Sequence, residues 1–132
     1  MIIKQFTEDD VYDVIDDLQR VEDNIDTLQT MVSNVLFVNI RINKYKLGEW
    51  QREHFVYTTE IERIRDNLER LCKVIEQSYQ IPILKVLIDY NDVNSLEKGM
   101  KFIDDYCITL IKTLSQPLAG FYYANMAIKL VA

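Results

Sequence analysis

Residues 11–42 have the sequence VYDVIDDLQRVEDNIDTLQTMVSNVLFVNIRI, which contains no glycine and no proline. Apolar side chains recur in it at alternating steps of three and four residues. This spacing places one stripe along a helix and is typical of helices that pack against other helices. Polar Asn39 interrupts the stripe, whose apolar members are Val11, Val14, Leu18, Val21, Ile25, Leu28, Val32, Val35 and Ile42. The pattern predicts a long helix with one face covered by protein.

Signals at both ends suggest that this helix runs from about Glu8 to Lys46. Thr7 followed by Asp10 resembles a capping box, and Gly48 can adopt the left-handed conformation that ends a helix. A helix of that length would measure roughly 58 Å, whereas a compact domain of this size has a radius of gyration of about 14 Å. We therefore expect a molecule that is elongated, kinked or paired with a second copy.

A second helix is predicted from about Glu49 to Tyr79. Its apolar stripe again repeats at helical spacing, and opposite charges four residues apart follow its outer face. The stripe consists of Trp50, His54, Tyr57, Ile61, Ile64, Leu68, Leu71 and Ile75. Together, the two helices predict a long, coiled-coil-like antiparallel hairpin.

The sequence leaves a β-hairpin open for residues 35–58. Val38, Ile40 and Ile42 alternate with polar residues, which is strand periodicity. The stretch 55–59, FVYTT, is also rich in strand-forming residues. In that alternative the chain turns at Leu47 and Gly48, and Thr59 with Glu62 restarts the helix.

Shorter helices are expected in the rest of the chain. Pro82 can open a short, buried helix that ends at Tyr90, and Ser95 can cap a further helix that ends before Pro117. The fold class predicted is all-α: the long hairpin with shorter C-terminal helices packed on it as a bundle. Residues 1–132 are expected to form a single domain.

Composition indicates a soluble protein. The chain is 48% hydrophobic and 27% charged, as is usual for a globular domain. It shows no secretory signal and no apolar stretch long enough for a membrane span, so a cytoplasmic location is the default expectation. Cys72 and Cys107 occupy apolar helical positions and are interpreted as small core side chains.

The search for catalytic motifs gives little. Glycines occur only at positions 48, 99 and 120, which excludes a glycine-rich phosphate loop. The single histidine, His54, lies on an apolar stripe and is interpreted as a packed, hydrogen-bonded side chain. Neither a zinc cluster nor an inward carboxylate–histidine pattern is present. We expect a non-enzymatic protein with no cofactor and no metal. A helical metal-dependent nucleotide hydrolase ranks third among the hypotheses.

Negative charge is concentrated at the start of the chain. Residues 1–30 hold nine acids and two bases, a net charge of −7. Without a basic stripe, direct binding to nucleic acid or to an anionic membrane is disfavoured. The plain interpretation is a solvated helix face. The sharper one is an acidic ridge that binds a basic partner, formed by Asp9, Asp13, Asp16, Asp17 and Asp23.

Two functional hypotheses follow from these features. The first is a protein–protein interaction module, such as an adaptor, assembly subunit or regulator, that acts through helical surfaces. The alternative is a stoichiometric inhibitor of a basic, nucleic-acid-binding protein, of the immunity or phage counter-defence type. Phe121, Tyr122 and Tyr123 are a second candidate surface, for a partner or for oligomerisation. Homodimer formation is a further prediction.

Overall fold

The computed structural model describes residues 1–115, and this part of the chain is all-helical. A π-helical segment, Val14–Gln19, leads directly into the first α-helix, α1, at Arg20–Leu36. Helix α2 covers Thr58–Ile75 and α3 covers Tyr90–Ser115. No β-strand occurs within residues 1–115. The all-α class predicted from the sequence is confirmed for this region.

The three helices run parallel to one another. Glu22 pairs with Arg63, and seven residues further along each helix Gln29 and Arg70 donate to the adjacent carbonyls of Ile40 and Arg41. The contacts between α1 and α3 also follow a parallel order: Arg20 contacts Glu97, and Asn24, one turn later, contacts Met100. The connections at residues 37–57 and 76–89 must therefore return along the bundle.

These return segments consist of irregular chain with several turns and have no strand partner. Helix side chains satisfy their main chain instead. Asn67 on α2 contacts Asn43 twice: its Oδ1 accepts from the Asn43 amide at 2.8 Å, and its Nδ2 donates to the Asn43 carbonyl at 2.7 Å. Arg65 donates to the carbonyls of Ile81 and Pro82. Buried main-chain groups require such partners.

The core lies between the helices. Helices α1 and α2 contribute the central parts of their predicted stripes and α3 contributes one apolar face, while Trp50, Ile40 and Ile81 of the return segments close the remaining sides. The helical residues buried there are Leu18, Val21, Ile25, Leu28, Val32, Ile61, Ile64, Leu68, Leu71, Cys72, Leu96, Met100, Ile103 and Cys107. The interpretation of Cys72 and Cys107 as core side chains agrees with their burial as free thiols.

The prediction of one helix from Glu8 to Lys46 was wrong at both ends. At the start, Asp10 does accept hydrogen bonds from the Thr7 amide and hydroxyl, but they close an isolated turn. At the other end Phe37 takes a left-handed conformation, with φ of 54°. Beyond it, Ile40 is buried while its neighbours are exposed, so the alternating pattern marks an extended segment along the helices.

The bounds of the later helices also differ from the prediction. Helix α2 begins at Thr58 rather than Glu49, close to where the alternative placed a helix restart, although residues 35–58 form no β-hairpin. Residues 82–89 form no helix, and α3 begins at Tyr90 instead of Ser95. Because α1 and α2 run parallel, the antiparallel hairpin does not form. Within residues 1–115, none of the helices has the length and apolar content needed to cross a bilayer.

Candidate functional site

A cavity of about 540 Å³ lies where the three helices begin. Because the helices are parallel, their first turns meet at this end of the molecule. The apolar part of the wall combines residues from each helix start with residues of the preceding segments. The lining consists of Phe6, Glu8, Asp10, Tyr12, Val14, Leu18, Val56, Thr58, Ile61, Ile88, Asp89, Tyr90 and Val93.

Acidic side chains cap two of the three helix starts at this end of the molecule. Asp13 accepts from the amides of Ile15 and Asp16 at 3.0 and 2.8 Å, and these hydrogen bonds, that from Asp16 foremost, lower the pKa of Asp13. Asp89 accepts from the amides of Asn91 and Asp92. Its pKa is lowered, chiefly by the hydrogen bond from Lys85. Carboxylates at these positions offset the positive ends of parallel helix dipoles.

Several exposed apolar residues are next in sequence to residues that line the cavity. Val11, Phe55, Tyr57 and Leu87 are each adjacent in sequence to a lining residue, and they are 84, 71, 60 and 84% exposed. We call these four the mouth residues. They come from three separate non-helical segments, and the rings of Phe55 and Tyr57 lie 4.7 Å apart. Exposed apolar side chains that lie together, as Phe55 and Tyr57 do, are typical of binding surfaces.

A buried charged cluster lies beneath residues 1–6, between α1 and α3. Arg20 Nη1 donates to Glu97 Oε1 at 2.8 Å, and Lys4 Nζ lies 3.0 Å from Asp17 Oδ1. Both acids are almost fully buried. The Tyr12 hydroxyl lies close by, and burial together with the charge of Glu97 raises its pKa. Pairing of this kind is what allows charges to stay inside a protein.

The five aspartates predicted as an acidic ridge do not form one surface. Asp9, Asp16 and Asp23 are exposed, while Asp13 caps the π-helical segment and Asp17 is buried against Lys4 and Arg20. The ridge required a helix through residues 8–17, whereas regular helical structure begins only at Val14. The other predicted surface, Phe121, Tyr122 and Tyr123, lies outside the described residues.

His54 belongs to a polar–aromatic cluster that holds the segment 37–57 against α1 and α2. Its Nδ1 accepts from the Gln51 amide and lies 3.1 Å from the Tyr45 hydroxyl. Tyr45 stacks on Trp50 with ring centroids 3.8 Å apart, and Trp50 Nε1 donates to Glu22. The interpretation of His54 as a packed, hydrogen-bonded side chain is confirmed, but His54 lies before α2 and not on a helical stripe.

Metal binding has no support in the described part of the chain. Within residues 1–115, no group of three or more histidine, cysteine, aspartate or glutamate side chains is arranged to hold an ion. The acids at the helix starts instead accept backbone hydrogen bonds.

No protein-family model, curated protein or solved structure matches this chain. The geometry of the site therefore carries the functional inference. Neither the cavity nor the exposure of the mouth residues was predicted from the sequence. The available signals were the apolar stretches 55–57 and 83–88, which were assigned to helices and thus to a buried interface.

Proposed function

We propose that this protein is a protein–protein interaction module that binds its partner at the cavity and mouth residues. The observation that carries the proposal is the exposure of Val11, Phe55, Tyr57 and Leu87, each next in sequence to a residue that lines a largely apolar cavity. An apolar side chain of the partner would enter the cavity and remove the mouth residues from water. Aromatic groups at the centre of such a contact supply much of the binding energy.

The charge of the site suggests which partner it takes. Glu8, Asp10 and Asp89 line the cavity. Asp9, between Glu8 and Asp10 in the sequence, and Asp16, in the first turn of the π-helical segment, are exposed. A symmetric homodimer through this surface would bring acids against acids, which is unfavourable. A partner segment that carries a large apolar residue flanked by lysine or arginine matches both the cavity and its acidic rim.

Selection from a random peptide library tests this proposal. Peptides that bind the purified chain should be enriched in a large apolar residue with neighbouring basic residues. The double variant Phe55→Asp with Leu87→Asp should bind these peptides with a Kd at least tenfold higher. A matched control, Ile111→Asp, changes an exposed apolar residue of α3 far from the mouth and should bind normally. Selected peptides that are indifferent to the Phe55 and Leu87 changes would refute the proposal.

A narrower candidate is the stoichiometric inhibitor of a basic, nucleic-acid-binding protein. Its support is the group of exposed acids at the same end, including Asp9 and Asp16. Neither of them lines the cavity, so Asp9→Lys with Asp16→Lys separates the two functions. An inhibitor that depends on long-range charge would lose affinity and show a strong salt dependence. A module that depends on the cavity would keep most of its affinity.

Two further proposals come from the sequence. Free thiols at Cys72 and Cys107 suit a reducing compartment such as the cytoplasm. Self-association through a surface other than the acidic end remains a prediction, which light scattering at high protein concentration tests.

A further inference from the structure

Residues 2–6 lie extended in a groove between α1 and α3, and helix side chains bind them by their main chain. Arg20 and Asn24 donate to the Ile2 carbonyl, both at 2.9 Å. The Lys4 amide donates to Glu97 Oε1 at 2.8 Å. Asn94 contacts Phe6 twice, with its Oδ1 accepting from the amide and its Nδ2 donating to the carbonyl, each at 2.8 Å.

This contact pattern is that of a peptide-binding groove. Main-chain groups of alternate residues, 2, 4 and 6, point into the groove, as the two-residue repeat of an extended chain requires. Binding through main-chain hydrogen bonds gives affinity for any extended peptide, and pockets for alternate side chains add specificity. The helices thus supply contacts that a sheet edge supplies in other peptide-binding proteins.

Two side-chain positions add a preference. Lys4 Nζ lies 3.0 Å from the buried carboxylate of Asp17, and Phe6 is buried against Tyr12, with ring centroids 5.3 Å apart. Gln5, between them, is exposed. The groove therefore favours a basic residue followed two positions later by a large apolar residue.

The segment 2–6 does not use all the polar groups beneath it. Within the described residues, four buried side-chain atoms have no hydrogen-bond partner: Tyr12 Oη, Arg20 Nε, Arg20 Nη2 and Glu97 Oε2. Arg20 Nη2 still forms an ion pair with Asp17 Oδ1 at 3.6 Å. All four belong to the charged cluster below the segment. Unpaired buried donors and acceptors are costly, so a peptide that offers one more polar group here would fit better than the chain's own residues.

We propose that the groove between α1 and α3 is a binding site for an extended segment of a partner protein, with lysine or arginine two residues before a large apolar residue. Residues 2–6 occupy this site as an internal ligand that the partner displaces. The exposed turn at Thr7–Asp10 and exposed Val11 join the segment to the first helix, so the segment can leave the groove while the helices stay formed, at the cost of exposing Phe6. Phe6 belongs to the internal ligand and also lines the cavity. The hydrogen bonds of the groove come from Arg20, Asn24, Asn94 and Glu97, none of which lines the cavity, so the two proposals can be tested separately.

The test uses the full chain with Lys4→Pro, which removes the Lys4 amide donor and the ion pair with Asp17 and so weakens the internal ligand. The probe is an acetylated, dye-labelled peptide of residues 1–8, followed by fluorescence anisotropy. Saturable binding at least tenfold tighter than to the unchanged chain is expected. Adding Asn94→Ala to Lys4→Pro should weaken peptide binding about tenfold. Adding Ser95→Ala, which removes only a hydrogen bond within α3, should leave peptide binding unchanged.

Matched peptides test whether the main chain is recognised. N-methylation at Phe6 removes an amide that donates to Asn94 and should abolish binding. N-methylation at Gln5, an exposed position, should leave binding within about twofold. Equal binding of the two methylated peptides would overturn the proposal. Leu87→Asp should leave peptide binding unchanged, which separates the groove from the mouth residues.

A second measurement covers the case in which Lys4→Pro does not fold. Unlabelled peptide at millimolar concentration is added to the unchanged, ¹⁵N-labelled chain. Displacement should speed hydrogen exchange at the Lys4 and Phe6 amides without changing amides of α2. Unchanged exchange would refute the proposal. Doubling of the 15.6 kDa mass when the unchanged chain is concentrated, with faster exchange at these amides, would assign the groove to a second copy instead.

Discussion

At the scale of single residues, two helix asparagines replace a neighbouring strand. Asn67 and Asn94 each satisfy both the amide and the carbonyl of one residue in an extended segment. An asparagine amide can donate and accept at once, which gives it the geometry of a main-chain partner. Polar residues inside a bundle thus fix the course of the chain between helices.

Replacing Asn67 should destabilise the fold. Asn67→Ala removes two hydrogen bonds from a fully buried side chain, while the freed groups of exposed Asn43 gain water. At about 1 kcal/mol for each net hydrogen bond, the expected loss in the free energy of unfolding is about 2 kcal/mol. Urea denaturation measures it. Asn34→Ala, at an exposed position of α1, is the control and should change stability by less than about 0.5 kcal/mol.

The two cysteines should resist thiol reagents until the protein unfolds. Burial raises the pKa of Cys72 to about 12 and also raises that of Cys107, so both stay protonated and shielded at pH 8. A raised folded pKa adds stability that is complete below the ordinary thiol pKa of 9.0 and is lost as pH rises from there toward 12.

Reaction with a chromogenic disulfide at pH 8 should be slow in buffer and complete in denaturant. An added cysteine at exposed Thr109 of α3 serves as the control and should react at once. Rapid labelling of a native thiol in the unchanged chain would contradict the described burial.

At the scale of elements, the sequence predicted helix interiors well and helix ends poorly. The stripe from Leu18 to Val32 is buried as expected, because helical periodicity is a local property of the chain. The end of α1 depends on partners such as Asn67 and Arg70. These side chains form hydrogen bonds with the main chain of residues 41–43 and lie 24 or more positions away in the sequence. Local sequence patterns do not predict such long-range contacts.

The end of α1 gives a prediction whose sign distinguishes two folds. Phe37 is 61% exposed and left-handed, a conformation that costs residues other than glycine about 1 kcal/mol. Phe37→Gly should therefore stabilise the protein by about 0.5–1 kcal/mol, measured by thermal or urea unfolding. In a continuous helix the same change would cost about 1 kcal/mol. Phe37→Ala keeps the backbone penalty and should be nearly neutral.

At the scale of the whole molecule, the parallel helices account for the cavity and for the positions of Asp13 and Asp89. Three helix starts at one end concentrate unpaired amides and positive dipole ends there, and Asp13 and Asp89 accept hydrogen bonds from the first amides of two of them. The acidic excess is visible in the sequence, but which acids cap helix starts could not be predicted from it. The cavity was beyond sequence reasoning, since its walls come from positions as distant as Phe6, Val56 and Val93, and helix direction cannot be derived from periodicity.

Spin-label distances test the parallel arrangement directly. Asn34 lies near the end of α1, Lys73 near the end of α2 and Thr59 at its beginning, all of them exposed. Parallel helices place Asn34 beside Lys73. They separate Asn34 from Thr59 by most of the length of α2, roughly 25 Å along the axis. Double electron–electron resonance should give a shorter distance for the Asn34/Lys73 pair than for Asn34/Thr59. An antiparallel hairpin would reverse that order, and it would also disperse the helix starts that form the cavity.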